Sequence, residues 1–151
     1  MSINIGAGEK LAIVATVDPQ TVANSEAVTD AVDMSKFDQA IFILALGDMA
    51  SETIDFRIET DTVSTFDNDK TTLKAATQLA AHATNNDSDQ IVLWCRAQDL
   101  LANSSHRYVR GRAITGGATG GPAAIIGLGV DARHEPATDS DLASVVEIAT
   151  V

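Results

Sequence analysis

The stretch FDQAIFILALGDMASETIDFRIET, residues 37–60, constrains this chain more than any other. It begins with an unbroken apolar run from Ile41 to Leu46 and passes a turn-like Gly47-Asp48 pair. It then alternates: Ile54, Phe56 and Ile58 take one parity, Asp55, Arg57 and Glu59 the other. A continuous apolar run is the pattern of a strand buried on both faces, and period-two alternation that of a strand with one wet face. Two such strands joined by a short connection predict a layered β protein.

The remaining segments extend that pattern. Residues 1–10, with Gly6 and Gly8, read as a flexible N-terminal arm. Residues 11–17 are a first strand, and Asp18-Pro19 is expected to turn the chain. Residues 22–34 are extended and polar, with room for one edge strand and a loop. Asp67-Asn68-Asp69 marks a turn. Residues 71–83 are ambiguous: their alanines suit a helix, their threonines and position a strand, and we read a strand. Residues 90–96 (QIVLWCR) are expected to be a central strand. Residues 97–103 suit one helical turn with Leu100 and Leu101 inward. Strands follow at 107–115 and 123–130, around the glycine-rich GGATGG at 116–121. Residues 131–141 are a polar loop, and 142–151 a closing strand. Eight or nine strands spaced by turn signals predict an all-β fold: an antiparallel β-sandwich, jelly-roll-like, forming a single domain over 11–151.

Length supports one domain with a core of its own, since 151 residues need no disulfide or metal staple. The aromatic fraction is only 4%, which predicts a core of Val, Ile, Leu and Ala. A single cysteine, Cys95, excludes an intramolecular disulfide and fits a reducing compartment. The net charge is −11, and the acids are concentrated in residues 1–89. Such a chain repels phosphate backbones, so nucleic acid is not an expected partner. No apolar run approaches membrane-spanning length and no basic segment precedes an apolar one, so neither a membrane anchor nor a signal peptide is expected.

Candidate chemistry is sparse. GGATGG lacks the Lys-Ser/Thr of a phosphate loop, is followed by Pro122, and reads as a hairpin tip. His82, His106 and His134 stand in separate turns without metal-ligand spacing, and Asp67-Asn68-Asp69 lacks the rest of a calcium loop. Ser104, Ser105 and His106 are sequence neighbours without a nucleophile elbow. Cys95 lies in an apolar strand and is expected to be inert; Trp94, of opposite parity, is expected in the core. No catalytic, metal or cofactor site is expected. Arg110 and Arg112 share one strand face, close to Arg96 and Arg107. They suit pairing with the carboxylates of a neighbouring copy, because the guanidinium fork grips carboxylates. Candidate interface residues are therefore Arg107, Arg110 and Arg112, with Ile3, Ile5 and Lys10 of the arm.

Three segments together carry a resemblance: VDPQTVANSEAVTDAVDMSKFDQAIFILALGDM at 17–49, SHRYVRGRAIT at 105–115 and AAIIGLGVDARHEPATDSDLASVVEIA at 123–149. The VDMSKF entry into an apolar strand, the RYV strand and the closing DAR…PATD…DLA resemble the capsid cement, or head decoration, proteins of tailed bacteriophages. The resemblance implies a jelly-roll-like sandwich that binds the outside of an assembled capsid as a dimer or trimer. The major capsid protein and further copies of the chain would then be its partners. It implies a virion location after synthesis in the host cytoplasm, and it supplies no catalytic or ligand residue. The alternative is a carbohydrate- or cell-surface-binding jelly-roll module, against which the low aromatic content argues. A small enzyme is the third reading, without a recognisable constellation.

Overall fold

The computed structural model describes residues 10–49, 52–79, 88–103, 105–134, 137, 140 and 144–147. The described residues form nine strands: β1 (Leu11–Val22), β2 (Glu26–Val28), β3 (Val32–Asp33), β4 (Phe37–Leu46), β5 (Thr53–Asp61), β6 (Thr71–Ala75), β7 (Gln90–Arg96), β8 (Tyr108–Gly116) and β9 (Gly121–Ala132). A 3-10 helix, Ala97–Asn103, follows β7. One sheet has the order β1-β9-β4-β7 and the other β2-β8-β5-β6, with β3 also on β8; every pairing is antiparallel. With β2 and β3 taken as one interrupted strand, the first sheet holds the first, eighth, third and sixth strands. The second holds the second, seventh, fourth and fifth. This is the jelly-roll order, so the fold expected from the sequence is the one observed.

The two sheets close on a core set by strand parity. Phe42, Leu44 and Leu46 of β4, Ile54, Phe56 and Ile58 of β5, Val109 and Ala113 of β8 and Ile125 of β9 are all buried in one core cluster. Contrary to the expectation from composition, phenylalanine fills much of this space: Phe37, Phe42 and Phe56 are among the largest fully buried side chains. Glycines make room for the rings. A Cβ on Gly111 or Gly127 would come within 2.9 Å of the Phe42 ring, and one on Gly129 within 2.7 Å of Phe37. Truncating such a ring to Ala costs about 3–5 kcal/mol through lost transfer energy and a cavity.

Several local expectations need correction. Asp18-Pro19 does not turn the chain; β1 runs through it, with its register shifted between Val17 and Gln20. An edge strand tolerates a missing N–H at such a bulge. GGATGG is not a hairpin tip, because β8 and β9 lie in different sheets and the loop carries the chain between them. Gly120 has φ of 71° there, and its N–H donates to Glu52 Oε1 at 2.7 Å. β7 is an edge strand of its sheet, not a central one. Leu100 is buried but Leu101 is exposed. Residues 71–75 are a strand and Leu79 forms a bridge to Ile54, while 80–83 lie outside the described residues. Residues 144–147 are not in a strand; most of the expected closing strand lies outside the described residues.

Candidate interaction surfaces

The two sheets turn very different faces outward. On the β2-β8-β5-β6 sheet, the outward parity of β8 carries Arg110 and Arg112, and that of β5 carries Arg57 and Glu59. The register sets Glu59 opposite Arg110, and Arg57 opposite Arg112. Like charges directly opposed are unfavourable, and Glu59 resolves the conflict. Its Oε2 accepts from Arg110 Nε and Nη2 at 3.1 and 2.9 Å, its Oε1 accepts from Arg112 Nη1 at 2.6 Å, and Arg57 Nε lies 3.6 Å away. Arg112 also pairs with Glu26 of β2. The Glu59 side chain is only 3% exposed. Burial pushes its carboxyl upward, yet the hydrogen bonds and charges of Arg112 and Arg110 prevail and hold it below the usual carboxylate range.

A loop roofs this network. Phe66, with φ of 55°, is buried and its ring centroid lies 4.3 Å from the Arg110 guanidinium carbon, a cation–π contact. Asp61 shapes the loop. Its Oδ1 accepts from the N–H groups of Thr62, Val63 and Asp69 at 2.6, 3.2 and 3.2 Å, and its Oδ2 from that of Asn68 at 3.3 Å. Burial opposes ionisation of Asp61, but these backbone donors keep its carboxyl low. At the end of the same face Arg107 grips Asp33 with its fork, Nε on Oδ1 at 2.7 Å. Burial would raise the Asp33 carboxyl; hydrogen bonds from Arg107 and Ser35 bring it down to about 2.

The outward face of the β1-β9-β4-β7 sheet is apolar. Registered rows run Ile13–Leu128–Ile41–Trp94 and Thr16–Ile126–Ile43–Val92. Val92, Trp94 and Ile126 are 55%, 42% and 43% exposed. The apolar run of β4 is thus fully buried on one face only: Phe42 and Leu44 are buried, Ile41 and Ile43 half-buried. Trp94 is not in the core. Lys74 Nζ and the Arg96 guanidinium lie 5.0 and 5.2 Å from its ring centroid. Part of the β1–β9 side is met by the C-terminal segment, where Thr16 Oγ1 donates to Ser144 Oγ at 2.7 Å. A groove of about 260 Å³ there is lined by Ile13, Thr16, Ile126 and Val145, among others.

The structure therefore separates the candidate residues. Arg107, Arg110 and Arg112 come together on one face, but their carboxylate partners Asp33, Glu59 and Glu26 belong to the same chain. Each of the three arginines thus has a carboxylate within its own chain. Lys10 is exposed just before β1, and Ile3 and Ile5 lie outside the described residues. Cys95 is buried, and burial pushes its thiol up to about 12, which suits an inert side chain. His106 is buried with Nε2 3.3 Å from Asp69 Oδ2; His134 is exposed and His82 is outside the described residues. No group of three metal-ligating side chains occurs among the described residues. No helix among them is long and apolar enough to cross a membrane. The exposed Trp94 surface went unread, although Trp94 shares its parity with Gln90 and Arg96, which marks that face as the outward one.

No protein-family model matches this chain, and no curated protein matches it. Among solved structures it is similar to the crystal structure of PBSX exported protein XepA, with a TM-score of 0.54 at 15% sequence identity. The match covers 91% of this chain and 42% of that one, so the chain spans less than half the length of its neighbour. The likeness shows the fold.

Proposed function

We propose that this chain is a non-catalytic structural protein of a phage virion, which binds the outside of an assembled capsid and stabilises it by bridging neighbouring capsid subunits. The observation that carries the reading of a structural, assembling protein is the apolar outward face of the β1-β9-β4-β7 sheet, with Val92, Trp94 and Ile126 exposed. Contiguous exposed apolar surface marks contact with another macromolecule. The motif resemblance to capsid cement proteins supplies the setting, and a jelly roll similar to PBSX exported protein XepA agrees with it. Exposure of Trp94 gives the carbohydrate-binding alternative one point in its favour. Lys74 and Arg96 over the ring weaken it, because they compete for the face on which a sugar would stack.

A cement contact spans adjacent subunits, so its full surface exists only after assembly, and binding then stabilises the assembled state by mass action. The test is co-sedimentation with assembled capsid shells and with unassembled capsid subunits. Binding to shells alone, with a raised shell melting temperature, is the expected result. Equal binding to free subunits defeats the mechanism. Deleting residues 1–8 tests the arm: reduced shell occupancy with an unchanged fold is expected, and unchanged occupancy removes the arm from the mechanism.

A further inference from the structure

We propose that the outward face of the β1-β9-β4-β7 sheet is a self-association surface, occupied by the same face of a second copy of this chain. The inference goes beyond the proposed function by giving this apolar face to a second copy of the chain and leaving capsid contact to the rest of the molecule, and it does not depend on the capsid.

Three observations choose the occupant. The first is charge. The chain carries 21 carboxylates against 10 cations, so two copies repel through their net charge. The rows Leu11–Val130–Gln39–Arg96, Ile13–Leu128–Ile41–Trp94 and Thr16–Ile126–Ile43–Val92 contain no carboxylate, and their one charge is Arg96. The opposite outer face carries Glu26, Asp55 and Glu59 among Arg57, Arg110 and Arg112, and its charges are engaged with one another within the chain. The apolar rows therefore let two copies of this acidic chain meet without setting carboxylates against each other and without breaking an ion pair.

The second is area. Four strands about 4.8 Å apart and about ten residues long cover roughly 650 Å². A standard interface buries about 800 Å² per partner, and the exposed Val146 beside the β1–β9 groove extends the apolar surface. The third is pattern. β4 and β9 present apolar residues on both parities, the signature of strands in a sheet covered on both sides. Among the described residues no second layer covers the outward side, and Val92, Trp94 and Ile126 are exposed there. A second copy supplies that layer by the sheet-on-sheet packing that already builds the sandwich, with layers about 10 Å apart.

Trp94 is the chain's one tryptophan and lies on this face, so its fluorescence reports the contact directly. The experiment is sedimentation and Trp emission of the full chain over a dilution series from about 100 μM to about 10 nM, a range that spans ordinary dimer affinities. The expected result is a dimer whose emission shifts to the red on dilution, together with dissociation to monomer. Val92→Asp and Ile126→Asp should each weaken association at least 100-fold, with the circular dichroism spectrum unchanged. If a charge prevents folding, Val92→Thr gives the same direction with a smaller change, and the wild-type series needs no variant. A wild-type monomer with concentration-independent emission overturns the proposal, as does a dimer that persists in both folded Asp variants. A monomer that binds capsid shells through this face overturns it as well, in favour of a capsid protein as occupant. A dimer of the expected behaviour that ignores shells sustains it while the capsid reading fails.

Discussion

The two outer faces of this sandwich are built from the same strand geometry and solve opposite problems. On β5 and β8, outward side chains are charged, and nearly every charge is answered within the chain: Glu59 by Arg110 and Arg112, Arg112 also by Glu26, and Asp33 by Arg107. On β4, β7 and β9 they are apolar, and Val92, Trp94 and Ile126 remain open to solvent. The first face is finished and the second is not. A rich display of arginine is therefore a poor guide to where a partner binds when its carboxylates lie on adjacent strands. An ordinary run of Ile, Val and Leu is a better guide when its second parity has no cover.

The sharpest way to break this comparison is to attack the finished face. Glu59→Ala removes the one carboxylate that serves Arg110 and Arg112, whose side chains are 14% and 18% exposed. It leaves the poorly solvated Arg110 without that carboxylate and Arg112 with Glu26 alone, while Arg57 lies directly across from Arg112. Breaking a buried ion pair from one side costs about 3–5 kcal/mol, and urea denaturation should show a loss of that size. Arg110→Ala should cost less, because Glu59 keeps Arg112. A loss below about 1 kcal/mol for Glu59→Ala would mean that the network is loosely solvated and that the face is not closed.

Acid gives a second, smaller contrast. Asp33, Glu59 and Asp61 all have carboxyls held below their ordinary values in the folded chain, Asp33 at about 2. A carboxyl with a depressed folded pKa adds stability above its unfolded pKa. That stability is lost as pH falls through the folded value. Stability should therefore be level from neutral pH down to about 5 and fall by roughly 1–3 kcal/mol toward pH 2. Glu59→Gln should flatten the slope, and Val92→Ser on the other face should leave it unchanged. Equal slopes in Glu59→Gln and the wild type would remove Glu59 from the acid response.

Legibility in the sequence divides along the same line. The layered all-β fold and the alternation of β5 were visible because period-two alternation is a local signal, whereas the apolar run of β4 predicted burial on both faces and its Ile41 and Ile43 are only half-buried. The jelly-roll order was expected partly through the motif resemblance, and the strand pairing bears it out. Register was not visible. Nothing local says that Glu59 faces Arg110, so the arginines were read as seeking partners elsewhere. Trp94 was misplaced because bulk alone favoured the core, although its parity companions Gln90 and Arg96 carried the correct answer. Asp18-Pro19 was read as a turn because its chemistry suits one, whereas the pairing of β1 with β9 on both sides of it absorbs the pair as an irregularity.

The smallest expected effect tests the unfinished face. Val92→Ser and Ile126→Ser replace side chains that are about half exposed and face away from the core. In the monomer they release little buried area, so each should move unfolding stability by no more than about 0.5 kcal/mol. Phe42→Ala, on the covered side of the neighbouring strand, should cost about 3–5 kcal/mol by contrast. The measurement is urea denaturation at nanomolar concentration, where an associated form has dissociated and the monomer is read alone. Repeating it at high concentration sharpens the contrast. If the face is covered by a second copy, the wild type gains stability with concentration by mass action, and the two serine variants gain less. A large loss for either variant already at nanomolar concentration would show that Val92 or Ile126 supports the chain's own core, and the distinction between a finished and an unfinished face would collapse.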